Sequence, residues 1–343
     1  MDFFGKVSMT VHVDAFRYLP VRALLAKTYA AFVTPSDPGL RSSIDLHLGD
    51  FPIDLRGRHV VDDAFMVAPG RVYSRNAHKI ARWEVEVAGL DSENTSIWIS
   101  GNVFSYLVFP ELIHQILFFK LGMENVAFLH ALGVAKDGKA LVVIGRSGIG
   151  KSLLAGKYLR DGYKLLGDDT VFIDPDGRVH GFPIPLGIRS LATSYRDFGL
   201  RLTLSDRFYL GLVKSIRWLS LGSIGLLFKV SAHRLGQRLE KNALATAVVF
   251  GLPGEPAGLV PAGDMEGLLD RMVLNSRFEA VILTKIIESY AYIYPESPVG
   301  GFWQRQREVF RSALRVPAAL LATIPSRMTE GHYQSLKKAL EHG

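Results

Sequence analysis

The sequence contains no cysteine. Disulfides, thiolate catalysis and thiolate-ligated zinc are therefore excluded, and a reducing interior is permitted. No run of about 20 apolar residues is present, the length a membrane-crossing helix requires. The nearest approach, "IWISGNVFSYLVFPELIHQILFFK", is interrupted by Pro110, Glu111 and His114 and reads as strand, turn and buried helix. The opening "MDFFGKVSMTVHVDAF" carries Asp2 early and alternates like a strand, which is not the pattern of a secretory signal. A cytoplasmic location is the expectation. Signatures of zinc fingers, homeodomains and RNA-recognition modules are missing, which argues against a nucleic-acid partner. The guanine-reading N-K-x-D string is also missing, as is the H-R-D string of eukaryotic-type protein kinases.

Acidic residues are outnumbered. Forty Lys and Arg face 33 Asp and Glu, for a formal charge of +7. Such a field favours acidic partners without choosing among them. The excess concentrates in the basic segment 205–241, above all between Lys214 and Lys241, where Lys214, Arg217, Lys229, Arg234, Arg238 and Lys241 face only Glu240 between apolar residues. An amphipathic helix pair with a solvated charged face explains this, as does a surface for an acidic acceptor or peripheral membrane contact. With 48% hydrophobic residues among 343, the chain can bury a core and is long enough for two domains.

The front of the chain is β-rich. "KVSMTVHV", "SIDLHL" and "RWEVEVAG" alternate apolar and polar residues as half-buried strands do, with a helix predicted at "RALLAKTYAAFV". From Pro110 the texture changes, and the domain boundary is placed near residue 105, giving domains 1–105 and 106–343. "PELIHQILFFKLGM" reads as a helix, "FLHALGVAK" and "ALVVIG" as a hairpin turning at Asp137-Gly138, and "YKLLGDDTVFIDPDGRVHGF" as further strands turning at Asp176-Gly177. Farther on, "ATAVVFGL" and "FEAVILTKI" read as buried strands and "FWQRQREVFRSALR" as an exposed helix. The fold class is α/β.

Chemistry concentrates at "IGRSGIGKSLLA". Gly145 and Gly150 bracket Arg146, Ser147, Gly148 and Ile149, and Lys151-Ser152 follow, which is the phosphate-cradling spacing G-x-x-x-x-G-K-[ST]. Between an apolar strand and a helix, such a loop aims backbone N–H groups and the helix dipole at one spot. Lys151 would reach the β- and γ-phosphates and Ser152 would ligate Mg²⁺. Magnesium takes one or two carboxylates in addition, and Asp168-Asp169 follow the loop closely enough to supply them. On an extended strand the two would point to opposite faces, so one could hold the metal while the other served as general base toward an acceptor. A lone His130 is either an ordinary hairpin residue or a partner tuning one of these acids.

Residues 129–173, "LHALGVAKDGKALVVIGRSGIGKSLLAGKYLRDGYKLLGDDTVFI", resemble the catalytic core of the HPr kinase/phosphorylase family. The shared features are a histidine ahead of the loop, G-x-S-G-x-G-K-S, a helix closed by glycine, and a paired aspartate. The resemblance implies a P-loop kinase domain of phosphoenolpyruvate carboxykinase-like fold behind a smaller β-rich domain. It implies that residues Gly145 to Ser152 bind ATP, with Lys151 acting in catalysis. Asp168 would be the base, with His130 beside it, and Asp169 and Ser152 would lie at Mg²⁺. In "PIPLGIRSLA", Arg189 matches a family arginine. The chain departs from the pattern at Gly187, where the family has a metal-ligating glutamate, and in lacking the later catalytic loop. A divergent member is implied rather than a true HPr kinase, with homo-oligomers expected only by analogy.

These readings point to a Mg²⁺–ATP-dependent kinase acting on a hydroxyl, foremost a Ser or Thr of a protein or peptide. Two alternatives stay open: a nucleotide-gated binding or assembly module with little transfer, and a small-molecule kinase.

Overall fold

The computed structural model describes residues 1–33, 42–54, 56–188, 228–230, 232–255 and 257–324, with scattered positions at 203–215 and 330–338. Arg189 and about half of the basic segment 205–241 lie outside the described residues. The described helices are α1 (Leu19–Thr28), α2 (Phe109–Met123), α3 (Lys151–Arg160), α4 (Met265–Glu279), α5 (Val281–Ile293) and α6 (Phe302–Ala313). None of them is long and apolar enough to cross a membrane.

The chain forms a mixed α/β protein of two units, Met1–Phe128 with Ser276–Val309, and Leu129–Asn275 with Phe310–Gly343. The division expected near residue 105 therefore falls later, and the chain returns to the first unit. Helix α2 is the reason. It is apolar on almost every side, with Phe109 and every residue from Leu112 to Gly122 buried, so it needs cover nearly all round. Part of that cover comes from α5, whose Leu283 N–H donates to the buried Gln115 Oε1 at 2.9 Å. The change of texture at Pro110 marks a change from strand to helix within one unit.

Eight strands form the sheet of the first unit: β1 (Asp2–Phe3), β2 (Val7–Val13), β3 (Ser42–Leu48), β4 (His59–Val60), β5 (Phe65–Ala68), β6 (Arg71–His78), β7 (Ala81–Ala88) and β8 (Asn94–Gly101). Their order is β1-β2-β3-β8-β7-β6-β5-β4. The alternating strands bury one face, with Met9, Ile44, Leu46, Ile97, Val85 and Val87 inside, as their period of two requires. "FEAVILTKI" is helical, not a strand: it closes α4 and opens α5. Leu283, Ile286, Ile287 and Tyr290 are buried at helical spacing, and a short apolar run alone does not separate the two periods. Helix α6 is amphipathic rather than simply exposed, burying Phe302, Gln306, Val309 and Phe310.

Strand β9 (Ala127–Leu129) carries the chain into the second unit, whose sheet is also mixed. Its strands are β10 (Ala131–Lys136), β11 (Lys139–Ile144), β12 (Lys164–Gly167), β13 (Val171–Ile173), β14 (Arg178–Gly181), β17 (Asn242–Pro253), β18 (Gly258–Pro261) and β19 (Ala318–Ile324), and β15 (Leu186–Ile188) pairs separately with β16 (Phe228–Val230). The order runs β12-β10-β11-β17-β14-β13. One edge of β17 lies parallel to β11; the other serves β14 antiparallel and then β19 parallel. Hairpin β10–β11 turns at Asp137 and Gly138, with φ of 52° and 76°, the left-handed pair a two-residue turn demands.

Alternate residues of the central strands make a continuous apolar floor: Leu132 and Val134, Leu141 and Val143, Ala247 and Val249, Ala322 and Ile324. Helix α3 lies on it through Leu154, Ala155, Tyr158 and Leu159. The packing sets the helix's N-terminus at the C-terminal end of β11. Leu154 is fully buried. Leu154→Ala should lower unfolding stability by about 3 kcal/mol. Urea titration reads this directly, and a loss under about 1 kcal/mol would show that α3 is not anchored by this contact.

Candidate functional site

Strand β11 ends at Ile144, and the chain turns through Gly145–Gly150 into α3. Gly150 caps the helix in the left-handed region at φ 91°, a conformation that penalises any Cβ. Gly145 is needed for another reason. A Cβ there would stand 2.2 Å from Ile149 Cδ1 and 3.1 Å from the Gly251 carbonyl oxygen. Ile149 thus folds back under the loop, while Arg146, Ser147 and Gly148 stay exposed. The first-turn N–H groups of α3 face outward at this end, where the helix dipole concentrates positive charge.

Lys151 is buried within the loop's own concavity. Its Nζ donates to the Gly145 carbonyl at 2.5 Å and to His130 Nε2 at 2.8 Å. An ammonium has only donors, so Nε2 must accept and the imidazole proton sits on Nδ1. That nitrogen faces Asp169 Oδ1 at 3.4 Å. The three side chains form one chain of contacts, from the glycine-bracketed loop through the imidazole to a carboxylate. His130 is 6% exposed and Asp169 65%, so the line begins inside and ends in solvent.

Asp168 faces the other way. Ser152 Oγ donates to its Oδ2 at 2.8 Å, and its Oδ1 is buried with no hydrogen-bond partner among the described residues. Burial pushes this carboxyl up to about 6; the Ser152 hydrogen bond opposes the shift, the neighbouring Asp169 charge adds to it, and Lys151 opposes it. The two aspartates occupy a tight turn between β12 and β13 rather than a strand. Gly167 makes the turn feasible, since a Cβ there would lie 2.1 Å from the Thr170 carbonyl oxygen. The Ala131 N–H donates to the Asp169 carbonyl at 3.2 Å and ties the turn to the strand after His130.

The contacts of the pair are thus the reverse of those the resemblance implies: Asp168 meets Ser152, and Asp169 meets His130. The structure brings together the loop Gly145–Ser152, His130, Asp168 and Asp169, whereas Arg189 lies outside the described residues. At Gly187 the strand pairing sets Lys229, not an acid, in register opposite. One contributor was not legible from spacing. Asn275, buried on α4, donates from Nδ2 to the His130 carbonyl at 3.4 Å. Nothing local in its sequence marks it, because the contact spans almost the whole unit.

A buried carboxylate oxygen without a hydrogen-bond partner among the described residues, beside a serine hydroxyl, suits a hard divalent cation, which prefers oxygen ligands and completes its shell with substrate phosphate and water. Among the described residues no cluster of three His, Asp or Glu side chains forms a self-sufficient metal cage. Ser152 and Asp168 would hold such a cation only together with a phosphate ligand. No protein-family model matches the chain, and no curated protein is significantly similar to it.

The raised carboxyl links stability to pH. Between about 4, the unfolded value, and about 6 the folded chain binds the proton and the unfolded chain does not, so stability falls as pH rises through this window. Above it, the charged buried group costs up to about 3 kcal/mol in metal-free protein. Asp168→Asn should therefore stabilise the chelator-treated protein at pH about 8 and leave it nearly unchanged at pH about 4. Thermal melts across this range check it; a variant less stable at the higher pH would show that Asp168 is not strained by burial.

Proposed function

We propose that the protein is a Mg²⁺-dependent kinase that transfers the γ-phosphoryl group of ATP to a hydroxyl, foremost a Ser or Thr of a protein or peptide. The observation that carries this reading is the convergence of two chemically distinct acids on one phosphate loop, one buried against Ser152 and one exposed and backed by His130. A nucleotide switch needs the first alone. Group transfer needs both. The antiparallel partner β10 beside the loop strand β11, with the histidine just before it, supports a relationship to the HPr kinase-like, phosphoenolpyruvate carboxykinase-like branch of P-loop kinases.

In this mechanism the loop's N–H groups and α3's N-terminus hold the β- and γ-phosphates. Lys151 leaves the Gly145 carbonyl and donates to phosphate oxygens, with His130 keeping its ammonium aligned. Ser152 and Asp168 would hold magnesium, which would supply charge neutralisation along the phosphates. Asp169 accepts the proton of the acceptor hydroxyl as that oxygen bonds to the γ-phosphorus and the bond to the bridging oxygen breaks, leaving ADP. The Nδ1–H of His130 orients Asp169 for this task.

A second reading has its own observation. Lys229, rather than an acid, stands in register with Gly187, the position where the resemblance implies a further metal ligand. That favours a nucleotide-gated binding module with little transfer. Incubation with γ-labelled ATP, Mg²⁺ and hydroxyl-bearing peptide, protein and small-molecule acceptors separates the readings, since label on an acceptor supports transfer and tight binding without label supports gating.

Asp169→Asn should cut transfer by about 100-fold or more while changing nucleotide affinity little. Lys151→Ala should weaken both. Single-turnover transfer and equilibrium nucleotide binding measure these effects. Should Asp168→Asn, and not Asp169→Asn, remove transfer while sparing Mg²⁺–nucleotide affinity, the assignment of base and metal ligand is the wrong way round.

A further inference from the structure

The first unit exposes a group of apolar side chains that its folding does not call for. Phe16 is 87% exposed, Ile80 63%, Val103 63% and Phe104 54%. Scattered exposed apolar residues are ordinary, but these are gathered at one place. They come from three turns: the 3₁₀ turn Phe16–Tyr18, the β6–β7 hairpin, and the 3₁₀ turn Val103–Leu107. Hydrogen bonds join the turns to one another. Asn102 Nδ2 donates to the Ile80 carbonyl at 2.8 Å, and the Asn102 N–H donates to the Arg82 carbonyl at 3.1 Å. The Tyr106 hydroxyl donates to the Arg17 carbonyl at 2.9 Å, while the Tyr18 hydroxyl accepts the Gly101 N–H at 3.1 Å. The three tips are therefore held side by side on a rigid base.

The hairpin tip is the most telling element. Lys79 sits at φ 55°, in the left-handed region where Asn or Gly would be at ease, and Ile80 follows it. Two-residue hairpin tips are best served by Asn-Gly. Here the tip presents a cation and a branched aliphatic to solvent instead. Cationic side chains rim the group: Lys79 and Arg82 are exposed at the hairpin, and Arg22 is exposed on α1, with Arg17 bridged to Asp50. The apolar residues project from separate turns rather than lining a groove, which suits a fluid partner more than a rigid complementary surface.

We infer that this end of the first unit docks on an anionic lipid surface, with Phe16, Ile80, Val103 and Phe104 entering the headgroup layer and Lys79 and Arg82 lying against lipid phosphates. The inference is independent of the kinase reading and of the segment 205–241.

The absence of cysteine makes the test clean. The full chain is labelled with a polarity-sensitive fluorophore at Phe104→Cys and, as a control, at Asp176→Cys in the exposed β13–β14 turn of the other unit. Emission from the first site should rise and shift to the blue with vesicles of equal neutral and anionic phospholipid, and should respond far less to neutral vesicles; the control should not respond. In cosedimentation, the triple variant Phe16→Ser, Ile80→Ser, Phe104→Ser should lose about 100-fold or more in vesicle affinity. Lys79→Gln with Arg82→Gln should lose about tenfold. All substituted positions are exposed, so melting temperatures should match the parent chain. The inference is overturned if the parent chain ignores anionic vesicles, if the triple variant binds them equally well, or if the control label responds as strongly. A label that responds to protein concentration without lipid also overturns it, making the patch a contact between copies of the chain.

Discussion

A carboxyl group taken out of water, with a serine hydroxyl on one oxygen and no partner on the other among the described residues, is the constraint around which the glycine-loop end of the second unit is built. Ordinary packing would not keep Asp168 there, because a buried unpaired charge is costly. The arrangement persists because everything around it is over-determined. Gly167 permits the tight turn, the Ala131 N–H pins that turn to β10, and α3 is seated on the apolar floor of the sheet. The strain is local and the scaffold that bears it is large, as expected where stability yields to function.

The second acid follows a different logic. Asp169 is solvent-facing, and its orientation comes from an imidazole whose tautomer is dictated by the Lys151 ammonium. Three elements distant in sequence thereby share one electrostatic line: the entry to β10, the first turn of α3, and the turn after β12. Asn275 on α4 steadies the backbone at its centre. A change at any of these positions would be felt at the others, because a buried donor or acceptor left without its partner carries the full desolvation penalty.

The first unit is organised by charge burial of a gentler kind. Glu86, on the polar face of its sheet, accepts from Arg58 at 2.9 Å and Arg71 at 3.0 Å, so a buried acid is fully paired and asks for no ligand. Its unusual chemistry lies at the turn tips instead. Phe16, Ile80 and Phe104 stand in solvent on a base of tyrosine and asparagine hydrogen bonds, which makes the end of this unit a surface for contact.

The elements with a strong local signature were legible in the sequence. The spacing Gly145–Ser152, the Asp137-Gly138 turn and the alternation of "KVSMTVHV" depend on residues within a few positions of each other, where sterics and period act directly. "FEAVILTKI" was misread because nine mostly apolar residues satisfy a buried strand and a buried helix alike, and only the packing of Leu283, Ile286 and Ile287 distinguishes them. The boundary at 105 failed because composition reports local element type, whereas α5 comes back to the first unit from far along the chain. By itself, then, the sequence determined that a glycine-bracketed loop joins a buried strand to a helix and that two acids follow. Which acid meets Ser152, which meets His130, and which is buried were decided by the tertiary structure alone, since neighbours in sequence share their chemistry and acquire different roles only from the desolvation and partners that long-range packing imposes.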